Sequence, residues 1–547
     1  MLDPPDFESF RDSVLASVAR GDTDRVLSEI RRVGRSIATE HGSEFRRLIG
    51  GLPFEIWHDD PWIAAAMGTS YRGAGAPRGE SALGYYRAAE VAIAATPDAP
   101  DHCLAAVLVG HTAALRALGQ LGSARAKSEI ARRLIDASLA ALPLRVTLDA
   151  QWALEDGMLL LHSGEFDQAR RRLEYANGLA PTHLVRAEHV ECLGALALLD
   201  LIGGDFDGAE SHTQHARTIA EGTELLRTGY GAPALIAAMA LACERGDSER
   251  AELLDDAVRT ASSSTEFEPI ALMASATLRA LQERPIEALD LLNQAGRRLA
   301  GWDEKGVGLE IGELIRAGLL ISLDQGDEAW TVLRKVAPRA THPLCPGRLV
   351  AQLRLRHGDL HGAEAAIRDC ERLGYEHCAR TLADIQLLRA AIELERGNLV
   401  TSDVNADRAF VSMARTGSRA PLGRIPASSL AAIAQRAAAR PHRDAAAGLI
   451  VEIVERTSGP QREIAALSER ERHVLAHVQR GLTVAAIAAE LYISPNTVKT
   501  HLRNLYSKLG VSTREEAIRA ARSLGLEHEI TRDSPGSHRG RDGDVVL

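Results

Sequence analysis

Asn496, Thr497, Lys499, Thr500, Arg503 and Asn504 lie within nine residues of one another, and no acid interrupts 494 to 509. Lys499 and Arg503 are four apart, so on a helix they share a face. Amide, hydroxyl, ammonium and guanidinium groups at this spacing suit phosphate oxygens and the purine edges of a DNA major groove. Ser494-Pro495 stands just ahead of them, and a helix N-terminus there would favour a phosphate oxygen. The plainer alternative is a solvated basic face on a small helical bundle.

The flanking residues predict the elements that position this face. Ser468 with Glu471 forms a capping box, so a first helix begins there, with Leu475 and Val478 inward and Gly481 as its closing cap. Thr483 caps a second helix whose inner residues are Ile487, Ala488 and Leu491, and Tyr492-Ile493 makes the turn. Ser494 caps the third helix with Pro495 at its first position, and Val498, Leu502, Leu505 and Leu509 face inward before Gly510. Thr513 with Glu516 opens a fourth helix, with Ile518 facing the core.

This stretch resembles the LuxR-type helix-turn-helix of bacterial transcription regulators. The matching residues are Leu467-Ser468-Glu469-Arg470-Glu471, Gly481-Leu482-Thr483, Ile487-Ala488, Ile493 to Leu502 and Lys508-Leu509-Gly510-Val511, within roughly a ninth of the chain. The resemblance implies that the helix opened by Ser494-Pro495 reads the major groove of double-stranded DNA. By position, Lys499, Thr500 and Arg503 would face base edges, with Asn504 on the same outward surface. Thr483, Ser494, Asn496 and Thr497 would touch backbone. Many members carry a charged pair after the residue that starts the second helix, where this chain has Val484-Ala485-Ala486. The family's fourth helix often mediates pairing, which points to Ala517, Ile518 and Ala521 and implies a homodimer on DNA.

Upstream, the chain is rich in Ala and Leu and carries a recurring fragment. Gly164-Glu165-Phe166 leads to Ala169 and Ala176, and Gly204-Asp205-Phe206 leads to Ala209 and Ala216. Gly246-Asp247 leads to Ala251, Gly358-Asp359 to Ala363 and Cys370, and Gly397-Asn398 to Ser402. At Arg284-Pro285, leading to Ala288 and Ala295, the glycine is missing, and Gly326-Asp327 is out of register by two. A glycine permits the tight turn between paired helices, the small residue five on sits where they cross, and the next lies on the same face two turns later. The pattern predicts degenerate tetratricopeptide-like hairpins, stacked one on the next.

The fold class expected is therefore all-α: a tetratricopeptide-like repeat array followed by a four-helix LuxR-type domain. The expected boundaries are 1–145, a helical region opening the array; 146–456, the repeats; 457–466, a linker; 467–530, the DNA-binding domain; and 531–547, a disordered tail. A second linker is expected at 416–426. Gly51-Leu52-Pro53 and Asp60-Pro61-Trp62-Ile63 resemble the start of the repeat region in large MalT-like regulators. Such regulators normally begin with an ATPase. Here the lysines are Lys127, Lys305, Lys335, Lys499 and Lys508, and none follows a glycine, so no phosphate-binding loop is present. The resemblance is to a MalT-like regulator without its ATPase domain.

Six scattered cysteines read as reduced thiols, no run of apolar residues is long enough to span a membrane, and a cytoplasmic location is expected. The chain has a net charge of −10, yet 461–530 holds ten basic and eight acidic residues, leaving about −12 on the rest. An acidic body of this kind opposes indiscriminate DNA binding. Cys370, His377 and Cys378 carry metal-ligand chemistry but have no fourth ligand in the sequence, so no metal and no cofactor are expected. Gly229-Tyr230-Gly231 reads as a loop between repeats, and the five tryptophans read as packing residues. No catalytic constellation is evident, so the chain is not read as an enzyme. The function expected is a sequence-specific transcriptional regulator whose array senses a protein or small ligand along its concave face. The competing expectation is an interaction scaffold whose helix-turn-helix docks a protein.

Overall fold

The computed structural model describes residues 6–523 except 58, 73–78, 97–98, 305, 340–342, 441–444, 458–466, 492, 509–510 and 512. Among the described residues every regular element is helical. The expected linker at 457–466 lies outside them apart from Thr457, which ends the helix Ala445–Thr457, and the tail lies outside them entirely.

The fold is an all-α tetratricopeptide-like repeat array followed by a small helix-turn-helix domain. From Asp101–Ala117 paired with Leu121–Ala137, to Ala379–Glu395 paired with Leu399–Thr416, antiparallel helix hairpins follow one another. Each hairpin turns through a residue with positive φ: Gly119, Gly164, Gly204, Gly246, Glu283, Asp324, Gly358 and Gly397. The residue five positions on is buried in every case: Ala124, Ala169, Ala209, Ala251, Ala288, Ala329, Ala363 and Ser402. So the two breaks in the sequence pattern are not breaks in the structure. Glu283 and Asp324 adopt the left-handed corner that glycine takes elsewhere, at φ 58° and 61°, which costs a non-glycine residue roughly 1–2 kcal/mol. Asp324 also explains the two-residue offset, because it, not Gly326, is the corner.

The aspartate after several of these glycines has its own task. Asp205, Asp247 and Asp359 each accept a hydrogen bond from the backbone N–H three residues on, capping the second helix of their hairpins. The turns start a helix and the small residues let it lie close to its partner, where an added methylene costs about 1–3 kcal/mol.

First helices of neighbouring hairpins pack on one another to form an inner layer. The superhelix then meets itself. Leu142–Ser163 touches Val307–Ser322, and Arg186–Gly203 touches Ala379–Glu395, several hairpins away. Arg339 Nη1 donates to the Gly164 carbonyl at 2.9 Å, and Arg380 Nε to Glu244 Oε1 at 2.8 Å. A methyl group on Gly204 would collide with the backbone of Arg380. As a result Arg186–Gly203 has fifteen consecutive buried residues, Ala187 to Leu201, and offers no open groove face along that run.

A buried ion network ties the inner layer to the N-terminal helices. Arg116, fully buried, pairs with Glu155 at 2.9 Å and with Glu266. Arg72 reaches Glu155 at 2.8 Å and Glu191 at 2.9 Å, and Arg35 pairs with Glu188 at 2.6 Å. Burial pushes the Glu191 carboxyl up, whereas Glu155, though equally buried, is held down by Arg72 and Arg116. Three guanidinium groups thus face four carboxylates, and the surplus negative charge is relieved at Glu191.

The expected linker at 416–426 is instead part of the packed body. Ala420–Arg424 is a short 3-10 turn, Pro421 and Ile425 are buried, and the Arg419 N–H donates to the Glu244 carbonyl at 2.8 Å. Its Gly, Ser and Pro content makes a turn, and its two apolar residues anchor that turn. Gly229–Gly231 is likewise a 3-10 turn, leading into Ala232–Glu244. Trp152 is buried between Arg132 and Arg172, each about 4.7 Å from its ring, while Trp330 is 41% exposed.

Candidate nucleic-acid interface

The C-terminal domain consists of Glu469–Gln479, Val484–Glu490, Pro495–Lys508 and Arg514–Ser523. Its core is Leu467, Val474, Leu475, Val478, Ile487, Ala488, Val498, Leu505 and Ala517. The capping residues act as their types require. Ser468 N–H donates to Glu471 at 2.7 Å, and Glu471 N–H donates back to Ser468 Oγ at 3.2 Å. Gly481 takes φ 80°. Thr483 Oγ1 accepts from Ala486 N–H at 3.3 Å, Ser494 Oγ from Thr497 N–H at 3.1 Å, and Thr513 Oγ1 from Glu516 N–H at 3.2 Å.

Val498 and Leu505 anchor the third helix in the core, which turns its other side outward. Asn496, Thr497, Lys499, Thr500 and Arg503 are exposed, as are Ser494 and Thr483, and Asn504 is half-buried. Asn496, Lys499, Thr500 and Arg503 share one face at helical spacing. Among the described residues, neither Lys499 nor Arg503 has an acidic partner, so both cations face solvent. The hydroxyls are more committed: Ser494 Oγ lies 2.7 Å from Thr497 Oγ1, and Thr500 Oγ1 donates to the Asn496 carbonyl at 3.1 Å. Ser494, Thr497 and Thr500 therefore shape the helix as well as its surface, and the two cations carry the charge.

Three features escaped the sequence reading. Arg514 Nη2 donates to the carbonyls of Val478 and Leu482, at 3.0 and 2.8 Å, tying the fourth helix to the end of the first. Arg480 pairs with Glu490 at 3.0 Å across the first two helices. His501, buried on the flank of the third helix, lies 3.4 Å from Asp324 of the array. None of the three left a local signal: Arg514 opens its own helix, and the carbonyls it meets lie 32 and 36 residues earlier in the chain. The suggested pairing contact changes too: Ala517 is fully buried in the domain's own core and is not available to a second chain. Ala521 lies where side chains are not described.

A capped bundle of this order, with a basic third helix facing solvent, defines the helix-turn-helix class. Residues 465–521 match the family of bacterial regulatory proteins of the luxR type, so the chain carries a LuxR-family domain at its C-terminus. Over 55 residues it is 56% identical to a probable transcriptional regulatory protein NarL of Mycobacterium tuberculosis, covering 10% of this chain and 26% of that one. Over 58 residues it is 47% identical to the HTH-type transcriptional regulator MalT of Serratia proteamaculans, covering 11% of this chain and 6% of that one. The chain thus spans about a quarter or less of the length of these relatives. The Cut9-Hcn1 hetero-tetramer of the APC/C matches 93% of this chain and 95% of its own at 11% identity, with a TM-score of 0.40. No helix among the described residues is long and apolar enough to cross a membrane.

Proposed function

We propose that the protein is a sequence-specific, DNA-binding transcriptional regulator. The observation that carries this reading is the outward face of Pro495–Lys508, where Lys499 and Arg503 stand exposed beside Asn496 and Thr500. Arg503 and Lys499 contact base edges; Asn496, Thr497 and the N-terminal turns at Ser494 and Thr483 contact phosphates. Binding is as a homodimer on paired half-sites, because one small, mildly basic domain on an acidic body has little affinity to spare. The array receives a protein or small-molecule effector. The buried inner run at Ala187–Leu201 directs that contact to surfaces other than a groove along that helix.

Fragments selected from genomic DNA by the full chain test this. Arg503→Ala should weaken the selected site by about 1–3 kcal/mol while leaving helix content intact, and affinity should fall steeply with salt. Binding that shows no sequence preference and no salt dependence would overturn it. That outcome would favour the competing reading, a helix-turn-helix that docks protein, which draws on the uncharged Val484-Ala485-Ala486.

A further inference from the structure

The sequence places Cys370, His377 and Cys378 close together, and the fold regroups them. Cys378 turns away, its sulfur directed at the carbonyls of Ile202 and Gly203, at 3.2 and 3.5 Å. In its place comes Cys345, which precedes the helix Gly347–Arg356. Cys345, Cys370 near the end of Leu360–Leu373, and His377 before Ala379–Glu395 are all buried, and their donor atoms lie within 4.8 Å of one another. The two sulfurs are 3.5 Å apart.

We propose that Cys345, Cys370 and His377 form a buried zinc site that pins three helices of the array. The geometry is close to what the ion requires. Two zinc–sulfur bonds of about 2.3 Å at a tetrahedral angle hold their sulfurs roughly 3.8 Å apart. A disulfide, with sulfurs about 2.05 Å apart, would need a far larger closure. The donor set also fits: thiolate and imidazole are ligands for zinc rather than for magnesium or calcium. Two thiolates cancel the charge of a divalent ion and the imidazole is neutral, so the loaded site adds no net charge to the interior.

Gly347 lies tight against the pair. A methyl group on it would sit 3.3 Å from Cys370 Sγ, 3.7 Å from Cys345 Sγ and 2.6 Å from the Ala366 carbonyl, so only a bare glycine lets this helix start so close to both sulfurs. Three protein donors leave a fourth coordination position, which a water would complete. The position of the site adds meaning. His377 is followed directly by Cys378, which rests on the turn at Ile202 and Gly203. An ion here would therefore steady the place where the superhelix meets itself.

Cobalt titration of the full, reduced chain under anaerobic conditions tests the site, followed by displacement with zinc. The expected result is one equivalent of cobalt with thiolate-to-cobalt charge transfer and tetrahedral visible bands, a higher Tm with zinc, and at least tenfold weaker zinc binding in Cys345→Ser and Cys370→Ser. Cys378→Ser and Cys243→Ser should bind as the parent does. No charge-transfer band, or full binding retained in a folded Cys345→Ser/Cys370→Ser double variant, would overturn the proposal. Should those variants not fold, X-ray absorption of the zinc-loaded parent decides. Two sulfur neighbours and one nitrogen neighbour uphold the site, and a shell without sulfur rejects it.

Discussion

The C-terminal domain and the array are both all-helical, but they are held together over different distances along the chain. The core of the domain uses residues between Leu467 and Ala517, and each helix start is fixed by a side chain three residues from its partner. The array relies on Arg116 meeting Glu266, Arg339 meeting Gly164 and Arg380 meeting Glu244. Local capping yields a small unit whose reading surface is presented by its own neighbours. Long-range closure yields a body whose interior is sealed by its own distant repeats. A change in one should register there and not in the other, and three measurements address this.

The largest effect is expected from Arg116→Ala. It strands Glu266 in the interior and leaves Glu155 to Arg72 alone, which should cost about 3–5 kcal/mol. Chemical denaturation should show the loss in the array, and hydrogen exchange should leave the protection of Glu469–Gln479 unchanged. Equal loss in both regions would collapse the distinction.

Next is acid. His162 is buried against Phe267 and Trp302, and burial together with the nearby Arg116 charge pushes it down to about 3. The unfolded chain takes up a proton on this ring near its ordinary pKa of about 6.5, and the folded chain does not, so stability is full above that value and falls as pH drops. By pH 5 the loss from this ring should reach about 2 kcal/mol. His162→Leu should flatten the difference between pH 7 and pH 5 by that amount. An unchanged slope would show that the ring is protonated in the fold.

The smallest effect falls on the other region. Ser468→Ala removes one half of the capping box and should cost about 1 kcal/mol. Exchange should quicken in Glu469–Gln479 while the array's melting stays the same. Faster exchange at Arg186–Gly203 would mean that the two regions share one transition.

The same contrast governs what could be read in advance. Caps and inward apolar residues act within a turn or two, so Ser468, Thr483, Ser494, Val498 and Leu505 announced the domain. The hairpin signature was read at Gly164, Gly204, Gly246, Gly358 and Gly397 but missed at Gly119, where Gln120 follows the glycine in place of Asp, Glu or Asn. It was lost at Glu283 and Asp324, because the backbone conformation persisted while the residue type changed. Pairings such as Arg72 with Glu191, or Cys345 with Cys370, leave no trace in spacing, since their partners are brought near only by the path of the superhelix. The apparent linker at 416–426 misled for the same reason: its turn residues are ordinary, and what fixes them is Glu244, far away in sequence.

The self-contact of the superhelix has a consequence for how the molecule comes apart. A stack whose units touch only their neighbours unfolds piecewise and frays from its ends. Here a hairpin near the middle of the chain is latched to one much later, so releasing either unseats both. Unfolding should therefore be more cooperative than the repeat count suggests, and a disturbance arriving at one hairpin is passed across the coil as well as along it.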